Sequence, residues 1–118
     1  MAIHVYGIPN CDTVKKARRW LETQGVDYVF HDFKKEGITQ ERLAKWADQV
    51  GWETLLNRKG TTWRQLPDSA KDGVDRVKAL EIMEKNTSVI KRPVVESGDR
   101  IVIGFDEDNF SRLAKSSF

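Results

Sequence analysis

Apolar and polar residues follow a strand-turn-helix pattern in the first part of the chain. Residues 3–6 are mostly apolar, β-branched or aromatic, which predicts a short strand, and Gly7-Ile8-Pro9-Asn10 after them predicts a tight turn. Val14, Ala17 and Leu21 then recur at helical spacing, with charged residues between them. The chain is therefore predicted to open with a strand, a turn and an amphipathic helix.

The ends of this helix and the start of the next strand carry recognisable signals. Asp12 or Asn10 is expected to cap the helix N-terminus, and Gly25 is expected to stop the helix. Tyr28-Val29-Phe30 follows as a second predicted strand. The order β–turn–α–β is typical of two parallel strands joined by a crossover helix.

The middle of the chain has the spacing of helices only. A helix is predicted after Thr39, with Gly51 as its end and one further helical turn or two over residues 52–56. Its apolar stripe comprises Leu43, Trp46, Ala47 and Val50. A later helix, ending near Asn86, is predicted to bury Val77, Leu80 and Met83. Residues 39 to 86, approximately, are therefore predicted to form an all-helical insertion.

The last part of the chain returns to strands. Pro93-Val94-Val95-Glu96, the turn Ser97-Gly98-Asp99 and Arg100-Ile101-Val102-Ile103 predict an antiparallel hairpin. Asp106 or Asp108 is expected to cap a final helix, whose inward residues are Phe110, Leu113 and Ala114. Without the insertion the order is βαβ–ββα, that of a minimal thioredoxin fold. We predict an α/β, thioredoxin-like fold in one domain over residues 1–118.

Composition and charge narrow the class of protein. The chain of 118 residues has a formal net charge of +2, which does not favour a nucleic-acid binder. A single cysteine excludes an internal disulfide and argues against a cysteine-rich zinc site. We expect neither a bound metal nor a tightly bound cofactor. The sequence shows neither a secretory signal nor an apolar run long enough for a membrane. We expect a cytoplasmic monomer.

Cys11 is the candidate reactive residue because it lies at the junction between the first strand and the first helix. Backbone N–H groups and the helix dipole stabilise a thiolate at a helix N-terminus, and Lys15 adds positive potential. The alternative is a buried structural cysteine, but Asn10, Asp12 and Thr13 make the surroundings polar. Position 14 is valine, so a resolving thiol has to come from another molecule.

Two arginines are candidates for anion binding. Arg58 lies among turn residues, and Arg92 directly precedes Pro93 at the start of a strand. The guanidinium group suits bidentate recognition of oxyanions and carboxylates. Each would be an ordinary surface arginine unless the fold brings both to Cys11. His4 and His31, by contrast, are expected to be structural.

Three sequence blocks together resemble the ArsC family of arsenate reductases, and most of all its YffB-type branch. The blocks are Tyr6-Gly7-Ile8-Pro9-Asn10-Cys11-Asp12-Thr13, then Leu56-Asn57-Arg58-Lys59-Gly60-Thr61-Thr62, then Ile90-Lys91-Arg92-Pro93-Val94. The resemblance implies a thioredoxin fold with a helical insertion, a cis proline at Pro93 and Cys11 as nucleophile. It also implies Arg58 and Arg92 as oxyanion ligands. The candidate substrate-binding residues are Asn10, Asp12, Thr13, Lys15, Arg58, Arg92 and Pro93.

The resemblance implies a reaction class and leaves two alternatives open. Glutaredoxin-coupled arsenate reductases carry a third arginine on or after the last strand, where this chain has Ile101-Val102-Ile103-Gly104-Phe105. We therefore expect a glutathione-dependent thiol reductase with glutathione as co-substrate, glutaredoxin as a further partner, and a thiol or small oxyanion as substrate. The alternatives are a true arsenate reductase and a redox-sensing regulator of the Spx type. Spx-type proteins bind RNA polymerase, and their second redox cysteine is replaced here by Val14.

Overall fold

The computed structural model describes the backbone of residues 3–117 and the side chains of residues 3–112. The strands are β1 (Ile3–Gly7), β2 (Tyr28–Asp32), β3 (Val94–Ser97) and β4 (Arg100–Ile103). The helices are α1 (Asp12–Thr23), α2 (Phe33–Glu36), α3 (Gln40–Val50), α4 (Trp52–Leu55), α5 (Thr61–Gln65), α6 (Asp68–Lys71), α7 (Arg76–Lys85) and α8 (Glu107–Ser117), with a short 3-10 helix at Thr87–Val89. No helix in residues 3–117 is long and apolar enough to cross a membrane.

The chain divides into two compact units. The first comprises the described residues up to Glu36 and those from Arg92 onward, and the second comprises residues 37–91. The predicted order of βαβ, a helical middle and ββα is confirmed, and the fold is a mixed α/β fold. The prediction of a single domain with an insertion at about 39–86 stays a prediction.

A four-stranded mixed sheet in the order β2-β1-β3-β4 forms the centre of the first unit. β1 runs parallel to β2, as the crossover helix between them predicts, and antiparallel to β3. The predicted hairpin of β3 and β4 is confirmed, with Val94 opposite Ile103 and Ser97 opposite Arg100. Since Tyr6 pairs with Val94, the end of β1 and the start of β3 lie at the same edge of the sheet.

One face of this sheet packs against α1 and α8 through a buried apolar cluster. Its members are Ile3, Val5, Ala17, Leu21, Val95 and Phe110. Val14, Ala17 and Leu21 are all buried, which confirms the predicted inward face of α1. Phe110 confirms the inward face of α8, and Asp106 caps that helix by accepting a 2.9 Å hydrogen bond from the N–H of Asp108. The side chains of Leu113 and Ala114 lie outside the described residues.

The second unit is helical and has its own buried residues, among them Leu43, Trp46, Leu55 and Met83. The oxygen of the Thr39 side chain accepts a hydrogen bond from the N–H of Arg42, so the predicted cap of α3 is confirmed. Asn57 N–H donates to the Val89 carbonyl at 2.7 Å, and Lys91 N–H donates to the Leu55 carbonyl at 2.8 Å. These bonds tie residues 55–57 to residues 89–91.

Three local predictions need correction. Val77 is 68% exposed, so the inward face of α7 is formed instead by Ala79, Leu80, Ile82 and Met83. Helix α1 is capped neither by Asp12 nor by Asn10, because Cys11 itself occupies the N-cap position. Helix α2 was not predicted, and α5 and α6 were covered only by the predicted all-helical middle, since helices of four or five residues are too short to show a hydrophobic period.

Candidate active site

Cys11 begins the first helix. Its backbone is extended, with φ −83° and ψ 124°, and its carbonyl accepts the first hydrogen bond of α1 from Lys15 N–H at 2.9 Å. Its own N–H donates to the Ile8 carbonyl at 3.1 Å, which closes the turn after β1. The Cys11 side chain is half-buried, and its sulfur lies next to the first N–H groups of α1, those of Thr13 and Val14. The N-cap position therefore leaves the first N–H groups of α1 available to a thiolate.

The thiolate form of Cys11 is stabilised by its surroundings. Burial would raise the pKa of Cys11, but hydrogen bonding from the Val14 N–H, the Arg92 side chain and the Thr13 N–H outweighs it, together with the positive charge of Arg92. The pKa of Cys11 is therefore below that of an ordinary cysteine. This environment favours a nucleophilic sulfur over an inert structural one.

Arg92 reaches Cys11 because of strand pairing. Tyr6, near the end of β1, pairs with Val94 at the start of β3, so Arg92 and Pro93 precede β3 at the edge where Cys11 follows β1. The Arg92–Pro93 peptide bond is cis, as the family resemblance implies. The Pro93 carbonyl accepts a 2.8 Å hydrogen bond from Gly104 N–H, which joins this loop to the end of β4. The Nε atom of Arg92 is buried.

A close approach between β1 and α1 brings the turn together. A Cβ atom on Gly7 would lie 2.7 Å from Cγ2 of Val14, a distance that side chains do not tolerate. Val14 is fully buried, so the valine has little room to move away. Glycine at the end of β1 is thus part of the geometry that places Cys11.

The other predicted site residues divide between the two units. Asn10, Asp12, Thr13 and Lys15 are exposed around Cys11 in the first unit. Arg58 belongs to the second unit, so its assignment to the Cys11 pocket stays a prediction. The structure therefore brings together Cys11, Thr13 and Arg92, and adds the Val14 N–H, which side-chain identity does not reveal.

The guanidinium of Arg58 lies close to two indole rings. Its guanidinium carbon lies 5.5 Å from the ring centroid of Trp52 and 5.9 Å from that of Trp63, while Arg58 itself is exposed. The loop around it is closed by Asn57, whose side-chain oxygen accepts a 3.1 Å hydrogen bond from Lys59 N–H. Contacts with both indoles leave the in-plane N–H donors of the guanidinium for a carboxylate or oxyanion.

The two histidines form a polar chain on the sheet. His4 Nδ1 lies 2.8 Å from His31 Nε2, and His31 Nδ1 lies 3.1 Å from Oε1 of Glu36. The His31 ring stacks on Tyr6, with centroids 4.3 Å apart. No group of three or more His, Cys, Asp or Glu among the described residues is placed to hold a metal ion.

Arg100 lies far from the cysteine along the sheet. It pairs with Ser97 at the start of β4, whereas Ile103 pairs with Val94 at the edge near Cys11. Ile103 follows Arg100 by three positions along the strand, which corresponds to about 10 Å. Arg100 therefore does not take the place of the missing third arginine.

The sheet order, the helical middle, the cysteine at the helix N-cap and the cis proline beside it together define a thioredoxin-like fold of the arsenate-reductase type. The sequence model of the ArsC family matches residues 6–113, and this chain belongs to the ArsC family.

Individual relatives agree with this assignment. The structure of the YFFB (PA3664) protein is similar with a TM-score of 0.92 and 47% identity, over 94% of this chain and 97% of its own. An arsenate reductase (ArsC) related protein from Brucella melitensis is also 47% identical, with a TM-score of 0.76, over 98% of this chain and 96% of its own. An uncharacterised protein of Haemophilus influenzae is 39% identical over 92% of this chain and 95% of its own length. The global transcriptional regulator Spx of Lactiplantibacillus plantarum is 23% identical over 92% of this chain and 83% of its own length.

Proposed function

We propose that this ArsC-family protein is a glutathione-dependent thiol oxidoreductase that works through a mixed disulfide at Cys11. The observation that carries the proposal is the position of Cys11 at the N-cap of α1, on the sheet edge to which the pairing of β1 and β3 also brings Arg92, whose guanidinium helps to lower the pKa of Cys11. Thiol–disulfide exchange proceeds through the thiolate, so a cysteine with a lowered pKa is ready to react near neutral pH.

The reaction has two exchange steps. The Cys11 thiolate attacks the glutathione sulfur of a mixed disulfide between glutathione and a substrate thiol. The original S–S bond breaks, the substrate leaves as a thiolate that takes a proton from water, and Cys11 now carries the glutathionyl group. A second glutathione thiolate attacks that group, releasing oxidised glutathione and the Cys11 thiolate. Two electrons pass from glutathione to the substrate disulfide, and the thiol of glutaredoxin is an alternative attacker in the second step.

The residues around Cys11 have separate roles in this scheme. Arg92 stabilises the attacking thiolate and the thiolate that leaves in the second step. Lys15 is assigned to a glutathione carboxylate, because a cationic side chain binds a carboxylate through a charge-assisted hydrogen bond, and Arg58 of the second unit is a further candidate for the same role. Asn10, Asp12, Thr13 and Pro93 form the wall along which the glutathione backbone lies. The chain supplies one thiol, so the protein depends on an external reductant, as in a reducing cytoplasm.

Intact mass spectrometry tests the proposal directly. Treatment with oxidised glutathione is expected to add one glutathionyl group to the protein, and reduced glutathione with glutaredoxin is expected to remove it. Cys11→Ser is the matched control, since it differs by one atom and has no thiol. An unmodified wild-type mass, or an adduct that glutathione and glutaredoxin leave in place, would contradict the proposal.

The similarity to Spx supports a second candidate, a regulator that binds RNA polymerase. Spx-type regulators have a second redox cysteine at the position of Val14, and Val14 is fully buried in the core. Purified RNA polymerase separates the two functions: stable binding to its α-subunit, together with no release of the Cys11 adduct, would favour the regulator.

A further inference from the structure

A cleft of about 470 Å³ lies between α1 and the segment that joins β4 to α8. We call it the α1 cleft. Its lining residues are Lys16, Arg19, Trp20, Thr23, Phe105 and Glu107. All of them belong to the unit that contains Cys11, and α1 is the helix that Cys11 caps.

The floor of the α1 cleft is aromatic and firmly supported. Trp20 and Phe105 are half-buried, and both pack edge-on against Phe110, with ring centroids 5.6 Å and 5.0 Å apart. Phe110 is only 1% exposed and belongs to the main core. A half-exposed tryptophan on a rigid base is typical of the residues that dominate binding energy at protein interfaces.

The rim of the α1 cleft carries two cations, Lys16 and Arg19. Within the described residues, the side chains of Lys16 and Arg19 form no hydrogen bond or ion pair, although Glu107 lines the same cleft. The neighbouring Arg18 differs, because its Nε donates to the Tyr28 hydroxyl at 3.0 Å and its guanidinium lies over Phe30. No described residue pairs with Lys16 or Arg19, so within this part of the chain both charges are available to an anionic ligand.

Helix stability accounts for part of the charge pattern of α1, since Asp12 with Lys16 and Arg19 with Glu22 are opposite-charge pairs at helical spacing. Lys16 and Arg19 are three residues apart and Lys15 and Arg19 are four apart, so each pair is a like-charge pair on the helix surface. Such pairs destabilise a helix by about 0.2–0.5 kcal/mol each.

The cleft extends beyond the reach of glutathione bound at Cys11. Arg19 and Thr23 follow Cys11 by 8 and 12 residues, or about 12 and 18 Å along the helix axis. An extended tripeptide spans about 10 Å from end to end, and glutathione carries its sulfur on the central residue. A ligand that reaches both Cys11 and the far end of the cleft is therefore larger than glutathione.

We propose that the α1 cleft docks an acidic segment of a partner protein, with one apolar side chain of that segment against Trp20 and Phe105. The inference rests on the proposed function, since docking there would bring the partner's glutathionylated cysteine or its thiol to Cys11. An acidic protein segment fits better than a nucleic acid, because the floor of the cleft is apolar and the chain has a net charge of only +2.

Peptide titration of the ¹⁵N-labelled protein tests the docking surface. The probe is a short acetylated peptide of alternating Glu and Ala residues around one central Phe. Its binding is expected to shift the Trp20 indole N–H and the amides of Lys16, Arg19 and Phe105, and to weaken as salt is added. Replacing the central Phe by Ser is expected to weaken binding about fivefold, and Lys16→Gln with Arg19→Gln about tenfold.

The controls separate this inference from the proposed function. Lys45→Gln with Arg64→Gln removes two exposed cations of the second unit and is expected to leave peptide binding unchanged. Cys11→Ser is expected to bind the peptide normally, because docking does not use the thiol. Shifts confined to other surfaces, equal binding by the Lys16 and Arg19 variant, or tighter binding of a single-stranded oligonucleotide would overturn the docking proposal. Each of those results leaves glutathione adduct formation at Cys11 as a separate question.

Discussion

The guanidinium of Arg92 acts on the sulfur of Cys11 both as a hydrogen-bond donor and as a positive charge. The two residues are 81 positions apart in sequence and meet because β1 and β3 pair antiparallel, with Tyr6 opposite Val94. The reactivity of Cys11 thus depends on strand β3, which places Arg92, as well as on α1, the helix whose N-cap is Cys11.

Removal of the Arg92 side chain is expected to raise the pKa of Cys11. Arg92→Ala deletes a donor and a charge that favour the thiolate, so less thiolate exists at any pH below the ordinary cysteine pKa of about 8.5. A charge-assisted hydrogen bond at a half-exposed site is worth about 1 kcal/mol, or roughly a fivefold change. We expect iodoacetamide to alkylate the variant about fivefold more slowly near pH 6.

The pH dependence distinguishes this effect from a general loss of structure. The rates of wild type and Arg92→Ala should converge above about pH 9, because both proteins are then thiolates. Arg92→Lys keeps the charge and should fall between them, and Arg64→Ala, in the second unit, should match wild type. An Arg92→Ala profile identical to that of wild type would show that Arg92 does not activate the thiol.

Gly7→Ala is expected to destabilise the protein through Val14. The new Cβ would lie 2.7 Å from Cγ2 of a fully buried valine, and forced overpacking of this kind costs about 1–3 kcal/mol. Thermal and urea unfolding of Gly7→Ala, Val14→Ala and the double variant measure the effect. Because Val14→Ala removes the clashing methyl groups, the double variant should lose less than the sum of the single losses; strict additivity would contradict the packing argument.

The periodic parts of the fold were predictable and the local detail of the site was not. Val14, Ala17 and Leu21 predicted the buried face of α1, since three inward residues define a helical stripe. In α7 the same reasoning selected Val77, which is exposed, because Ala79 and Ile82 offered an equally good stripe. Period alone cannot choose between overlapping apolar faces.

The position of Cys11 was predictable from the strand-turn-helix order, but its role as N-cap was not. Asp12 and Asn10 are better capping residues by preference, but α1 begins at Asp12 with Cys11 as its N-cap. The pairing of Arg92 with Cys11 required the register of β3, which sequence spacing does not encode. The contacts of Arg58 with Trp52 and Trp63 likewise depend on how α4 and α5 place the two indoles.

Trp63 is expected to act through Arg58. Loss of one indole contact at an exposed guanidinium is worth about 0.5–1 kcal/mol, so Trp63→Ala should raise the KM for glutathione roughly two- to fivefold. The kcat should change little if Arg58 contributes to binding alone. Trp63→Phe keeps an aromatic face and should restore most of the affinity, while Arg58→Ala should exceed the Trp63→Ala effect. A raised KM in Arg58→Ala without any change in Trp63→Ala would show that the indole does not position the arginine.

The geometry of β4 bears on arsenate as a substrate. Negative charge on several oxygens must be stabilised while a thiolate, itself negative, approaches the arsenic atom. The β4 end nearest Cys11 carries Ile103, followed by Gly104 and Phe105, and Arg100 starts the strand at the opposite end. Among the described residues of this strand and the loop after it, no cation takes the place of the third arginine.

Arsenate reduction by this protein is therefore expected to be weak or absent, while glutathione adduct formation at Cys11 is expected to be readily measured. Loss of one fixed donor from an electrostatic site of this kind typically costs about 10²–10³ in rate. Coupled assays with glutathione, glutaredoxin and either arsenate or a glutathionylated peptide compare the two activities in the same preparation. Cys11→Ser should abolish both activities, so any arsenate signal that remains comes from a contaminating reductase.

Ile103→Arg places a cation at the β4 end near Cys11 and is expected to raise arsenate turnover without improving the glutathione reaction. Arsenate turnover by the wild type equal to that of a three-arginine family member would overturn the argument from charge.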